Sequence, residues 1–196
     1  MSATLKRRDV VAQLLSDRGD LLVVAGLGST AWDCTAAGDH PLTFPLWGAM
    51  GQAAMMGLGL ALAKPERRVL VVTGDGEMLM GMGSLATIGV QRPANLSVVV
   101  IDNERYGETG MQATHTASGV DLAAVARACG FANASTLTRE AELGALRTAI
   151  HAQPGPNFAT VKVVAEKIPI ILPPRDGGLL KARFRRALLG EAADSQ

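Results

Sequence analysis

Aromatic side chains supply only 4% of this 196-residue chain. That scarcity excludes a stacking platform for single-stranded nucleic acid, where a ring is needed for each of several bases. The core must instead be built from aliphatics, alanine, glycine and methionine, which suits a tightly packed α/β sheet. Charge of either sign is not in excess. The net charge is +1, so no bulk field draws nucleic acid or a membrane surface. Cysteine is scarce as well. Cys34 and Cys129 stand far apart with no histidine beside them, so they form neither a zinc nor an iron–sulfur site. They read as reduced thiols of a cytoplasmic protein. Only one segment, Ala49–Ala63, is apolar enough to suggest a membrane span. It is too short, carries Gln52 and is broken by Gly51, Gly57 and Gly59, so it reads as a helix buried on nearly all sides. The first residues carry charge but no apolar stretch, and no signal peptide is expected.

What the chain has is apolar content of 48%, enough for one domain with a substantial core. The pattern alternates. An amphipathic helix over Ala3–Asp17 precedes a strand at Leu21–Ala25 and a second at Thr43–Leu46. A helix over 50–63 follows, then a strand at 68–73, a helix over 78–90 and a strand at 96–101. Asp121–Cys129 reads as a helix, Ser135–Leu137 as a short strand, and Thr138 as the N-cap of a helix reaching Ala152. Phe158–Val164 is a last strand, and Leu179–Leu189 a basic amphipathic helix. Its Lys181, Arg183, Arg185 and Arg186 read as a solvated or subunit-facing surface. Such alternation implies a doubly wound, mostly parallel sheet with helices on both faces. We expect a single domain with its core over about 20–165 and a C-terminal extension over 166–196.

Two strand ends carry the chemistry. Val69–Thr73 runs into Gly74-Asp75-Gly76, and Leu96–Ile101 runs into Asp102-Asn103. Both apolar runs read as buried parallel strands, whose carboxyl ends open into one crevice. Asp75 brings a carboxylate and Asn103 an amide oxygen, half a cage for a hard divalent cation. Gly76 lets the backbone approach a phosphate, and the following helix offers free N–H groups. Gly26-Leu-Gly28-Ser-Thr-Ala31 formally matches a dinucleotide fingerprint. The acidic residue that such a site needs about 20 positions on is missing, since Pro45-Leu46-Trp47 stands there. A glycine turn at a strand end explains it better.

The Gly-Asp-Gly turn, with residues 77–102 before the spacing closes on Asn103, resembles the thiamine diphosphate enzymes. Gly48-Ala49-Met50-Gly51 resembles a second segment of that family. Residues from about Gly48 to Thr116 are similar to the decarboxylases acting on sulfopyruvate and phosphonopyruvate, whose diphosphate-binding half this chain matches. The resemblance implies thiamine diphosphate and Mg²⁺ as cofactors. Asp75, Asn103 and the Arg105 carbonyl would hold the metal. Gly74, Gly76 and Glu77 would meet the diphosphate by backbone, with the Glu77 side chain turned away. Ala49, Tyr106 and Gly107 complete the cofactor contacts. Gly48 would accept from the aminopyrimidine, and Met50 would be the wedge that bends the cofactor. His115 is a candidate for moving protons near the substrate. Ser29 or Thr30 would lie beside it.

The resemblance further implies a small 2-oxo acid substrate and a partner. The glutamate that activates the pyrimidine belongs to a domain missing here, so an α subunit carrying it is expected, most simply in an α2β2 assembly. Apolar interface surface would come from the Gly- and Met-rich segments around 48–60 and 78–89. Two loops depart from the family. Gly110-Met-Gln-Ala-Thr114 replaces GGQPT, and Asn103-Glu-Arg-Tyr-Gly-Glu108 replaces NGAYGS, which leaves the 2-oxo acid open. Three other readings stay open: the beta subunit of a 2-oxo acid:ferredoxin oxidoreductase, a carboligase, and a non-catalytic regulatory subunit.

Overall fold

A computed structural model describes residues 4–195. In chain order the elements are α1 (Arg7–Leu15), β1 (Leu22–Ala25), α2 (Ser29–Ala36), β2 (Thr43–Pro45) and α3 (Ala53–Ala63). Then come β3 (Val69–Gly74), α4 (Asp75–Met80), α5 (Ser84–Gln91), β4 (Leu96–Asp102) and a small hairpin, β5 (Arg105–Tyr106) with β6 (Gln112–Ala113). The chain continues through α6 (Leu122–Ala128), β7 (Asn133–Leu137), α7 (Leu143–Ala152), β8 (Asn157–Lys162) and α8 (Gly177–Leu189). Six strands form one sheet in the order β2-β1-β3-β4-β8-β7, parallel throughout.

Residue alternation along the strands sorts the core into two layers. Val23, Ala25, Leu70, Val72, Val99 and Ile101 face α1, α2 and α7. Leu22, Val24, Val69, Val71, Val98 and Val100 face α3, α4, α5 and α6. Burial on both faces is why β3 and β4 read as unbroken apolar runs. The helix after β1 and the helix after β3 go to opposite layers, so the carboxyl ends of these neighbouring strands diverge into a crevice. Next to it, Gly74 of β3 lies in register with Ile101 of β4, which brings Asp75 and Asn103 to one rim.

Several local expectations change. Ala3 lies outside the described residues, and α1 starts only at Arg7. Leu5 is bridged to Val163 in extended form. Helix α3 starts at Ala53, because Ala49 and Gly51 take positive φ of 58° and 87°, which helix does not allow. It is not buried all round: Met55, Met56 and Leu62 are exposed. The expected 78–90 helix is two helices broken at Gly81-Met82-Gly83, and the first begins at Asp75 itself. The break has a packing cause, since a Cβ on Gly81 would sit 2.0 Å from the Gly51 carbonyl oxygen. Helix α2 was hidden by Gly28, Ser29 and Thr30, which resemble a turn. Arg139, not Thr138, takes the N-cap of the 3₁₀ turn ahead of α7, although the Glu142 carboxylate does accept both backbone N–H groups.

Candidate functional site

Asp75 leaves the end of β3 as the first residue of α4 and is 2% exposed. Its Oδ2 accepts from the Thr114 hydroxyl at 2.5 Å. The Thr114 and Thr116 hydroxyls lie 2.9 Å apart, and Thr116 donates to Asp102 Oδ1 at 2.8 Å. Asp102, also buried, is ion-paired to Lys162 at 2.8 Å, and Lys162 reaches Glu104 at the same distance. Three short contacts thus join two carboxyls through two hydroxyls, and each hydroxyl brings one proton. A proton on Asp75 completes the chain. Burial first, and the nearby Asp102 charge as well, push the Asp75 pKa up to about 6, against the pull of the Thr114 hydrogen bond and of the amides of residues 75 and 76. Burial disfavours charge on Lys162, yet its two carboxylate partners outweigh this and raise its pKa.

The segment after β4 folds over the rim. Asp102 Oδ1 accepts the Glu104 N–H and Asn103 Oδ1 the Arg105 N–H, both at 3.0 Å. These turns suit Glu104, whose φ is +60°. Thr114 donates its N–H back to the Glu104 carbonyl at 3.1 Å, closing the β5–β6 hairpin under the site. Tyr106 lies over Gly76: a Cβ there would be 2.5 Å from its ring. Gly76 is therefore required by the tyrosine, in addition to any role beside a phosphate. Glu108 lies over Gly28 in the same way, with a Cβ 1.5 Å from its carboxylate. Gly107 is exposed.

The Glu77 side chain turns away from Asp75 and towards β1. Its Oε2 accepts the Thr73 hydroxyl at 2.8 Å and the Leu27 N–H at 3.0 Å. Burial raises its pKa, while Thr73, Leu27 and the N–H groups of Gly51 and Ala53 at the start of α3 hold it down. Glu77 thus ties together the ends of β1 and β3, and its carboxylate faces the loop before α3. That loop holds Gly48, Ala49 and Met50. Gly48 and Ala49 are exposed, and Met50 is half-buried. Gly51 packs on Gly81, which pins the loop to the end of α4. His115 stands exposed at the first position of a 3₁₀ turn, His115–Ser118, between the two buried threonines that serve Asp75. Ser29 begins α2, where its carbonyl accepts from Arg7, and the buried Thr30 hydroxyl is bonded to the Gly26 carbonyl.

Sequence reasoning missed Thr114, Thr116 and Lys162. The alternation Thr-His-Thr after the hairpin was the available signal. No group of three or more His, Cys, Asp or Glu side chains able to hold a metal occurs among the described residues. Asp75, the Asn103 amide oxygen and the Arg105 carbonyl are all hard oxygen donors. They are too few to cage a cation, and they suit Mg²⁺ shared with ligand phosphates. Asn103 Oδ1 spends one lone pair on Arg105 and keeps the other.

An all-parallel sheet with helices on both faces, and a carboxylate and an amide at adjacent strand ends beside a topological switch point, defines the class: a doubly wound α/β domain with a candidate ligand site at its carboxyl rim. The thiamine pyrophosphate enzyme C-terminal TPP binding domain matches residues 28–161, and the chain belongs to that family. It is 36% identical over 190 residues to sulfopyruvate decarboxylase subunit beta of Methanothermobacter thermautotrophicus, covering 97% of this chain and 99% of that one. It is 43% identical over 145 residues to phosphonopyruvate decarboxylase of Streptomyces viridochromogenes, covering 74% of this chain but 36% of that one. The structure of benzoylformate decarboxylase from Polynucleobacter necessarius superposes with a TM-score of 0.70 at 20% identity, over 85% of this chain and 34% of the other. That likeness concerns the fold. No helix among the described residues is long and apolar enough to cross a membrane.

Proposed function

We propose that the chain is the diphosphate- and Mg²⁺-holding subunit of a split thiamine diphosphate-dependent 2-oxo acid decarboxylase. The observation that carries this reading is the convergence of Asp75 and Asn103 at the carboxyl ends of adjacent strands β3 and β4. When bound, the cofactor supplies an electron sink for the carbon that loses CO₂.

The chain's own residues hold and shape. Asp75, Asn103 and the Arg105 carbonyl would ligate the metal, which would keep Asp75 ionised. Thr114 and Thr116 fix the Asp75 carboxylate, and Lys162 balances Asp102 behind it. Glu77 joins the ends of β1 and β3 beside the loop in which Gly48, Ala49 and Met50 would face the ligand, Met50 as the bending wedge. Gly74, Gly76, Tyr106 and Gly107 line the diphosphate side. Exposed His115 is available to exchange protons with solvent or substrate. The Ser-to-Glu change at Glu108 places an extra carboxylate over Gly28, which disfavours a 2-oxo acid with a second anionic group.

The α subunit would bring the activating carboxylate. The beta-subunit relative, matched over nearly its full length, supports a two-chain enzyme. The exposed Met55, Met80, Met82 and Val90 offer the apolar surface for that contact. The test is CO₂ release from a panel of 2-oxo acids with Mg²⁺ and thiamine diphosphate, by the chain alone and when co-expressed with a pyrimidine-domain subunit. The chain alone is expected to be inactive. Turnover without a partner would overturn the split-site reading.

A further inference from the structure

Helix α8 packs on a part of the molecule that shares no residue with the crevice. Phe184 meets Phe44 of β2 edge to face, ring centres 5.6 Å apart. Beside this contact a cleft of about 340 Å³ opens between α8 and α3. Val24 and Phe44 form its floor, Met56, Gly59 and Leu60 one wall, and Phe184 the other. Its rim is different: Lys181 and Arg185 stand there.

The two cations lie four residues apart, on one face of α8 with Phe184 between them. Like charges at that spacing repel and weaken a helix. Arg183, on the same helix, is paired with Asp39. Lys181 and Arg185 make no ion pair among the described residues, where Arg185 donates to the Ala193 carbonyl at 3.4 Å. Apolar depth with two cations at the mouth, neither paired to a carboxylate among the described residues, is complementary to one kind of ligand. It needs an apolar body to displace water from the floor and an anionic head to sit between the cations.

We infer that the α3–α8 cleft is a binding site for a soluble, single-chain amphipathic carboxylate of medium length. The site is tied mechanically to the wedge loop. Trp47, directly ahead of Gly48, donates its indole N–H to the Pro174 carbonyl at 2.8 Å, and Arg175 stands over its ring at 5.9 Å. Pro174 and Arg175 lead into α8, so Trp47 is positioned to report a ligand in the cleft.

The probes are octanoate, octanol and inorganic phosphate, titrated into the purified full chain, with binding read by calorimetry and by tryptophan fluorescence. Octanoate should bind saturably and change the emission. Octanol, lacking the head, and phosphate, lacking the tail, should each bind at least tenfold more weakly. The double variant Lys181→Ala/Arg185→Ala removes only side chains at the rim, so the fold should survive, and thermal unfolding checks this. It should lose octanoate affinity at least tenfold, whereas Arg186→Ala, on the solvent side, should keep it. The inference is overturned if the wild type shows no saturable octanoate binding or binds phosphate equally well. Undiminished binding in the folded double variant, or equal loss in Arg186→Ala, also overturns it. None of these readouts depends on thiamine diphosphate, so they stand apart from the proposed decarboxylase role.

Discussion

Replacing Asp75 by asparagine should stabilise the ligand-free chain while abolishing its metal-dependent function. Burial at 2% exposure, next to the charge of Asp102, raises the Asp75 pKa from 3.8 to about 6. Above that pH the folded chain carries an ionised carboxylate it would rather protonate, a penalty of about 3 kcal/mol. The sign follows from proton binding. Between about pH 4 and pH 6 the native state holds the proton more tightly than the unfolded chain, so this contribution to stability is full at acid pH and is lost as pH rises. Asparagine is always neutral, and its NH₂ can donate to Thr114, completing the run of hydrogen bonds that the carboxylate leaves one proton short. Some charge-assisted strength is given up, so the net gain at pH 8 should be about 1–3 kcal/mol, a rise in Tm of roughly 3–10 °C for a domain of this size.

The assay is thermal unfolding of wild type and Asp75→Asn at pH 4, 6 and 8 in EDTA, paired with calorimetric titration of thiamine diphosphate and Mg²⁺ into the assembled enzyme. The Tm difference should grow with pH and level off above about pH 6. Cofactor binding by the variant should collapse, because a charged metal ligand is gone. A variant less stable than wild type at pH 8 in EDTA, or one that keeps its Mg²⁺-dependent cofactor affinity, would refute the reasoning.

Met50→Ala should leave the fold intact and lower kcat of the assembled enzyme more than cofactor affinity. An unchanged kcat with a lowered Tm would make Met50 a packing residue. Asp33→Ala should cost about 3–5 kcal/mol, because it removes the one carboxylate that pairs with both Arg7 and Arg8 and leaves the buried Arg7 with the Ser29 carbonyl, and urea unfolding measures this. Cys34 is fully enclosed and its thiol is pushed up to about 12, burial outweighing the nearby Arg18 charge. A thiol-disulfide reagent at pH 8 should therefore titrate at most one cysteine in the native chain, with Cys34 reacting only after unfolding.

The fold and the meeting of Asp75 with Asn103 at adjacent strand ends were legible because both rest on local patterns. Unbroken apolar runs end in Gly-Asp-Gly and Asp-Asn, and the parallel sheet places those ends side by side. What the sequence did not show depends on contacts between distant segments. The break at Gly81 exists because Gly51, thirty positions earlier, needs the space. Thr114 and Thr116 serve Asp75 only once the β5–β6 hairpin turns back over the rim, and Lys162 joins Asp102 through the β4–β8 register. The turned-away Glu77 was legible in outcome, since a carboxylate beside phosphates is untenable, but its partners Thr73 and Leu27 were not.

The same long-range ties bear on the proposed split site. Asp75, Asp102, Glu104 and Glu108 crowd one rim, with Lys162 the cation paired to two of them. Such a surplus of negative charge is costly beside a diphosphate unless a divalent cation intervenes. The rim is therefore suited to the metal first and the anion through it. Glu77 is the exception because its charge is spent on Thr73 and Leu27, away from the rim. It joins the end of β1 to β3 and faces the start of α3, which begins shortly after Met50 and carries Met55 outward. One buried carboxylate thus lies between the loop proposed to face the ligand and the apolar face proposed for a partner. That placement gives a physical reason for expecting partner binding and cofactor binding to be coupled.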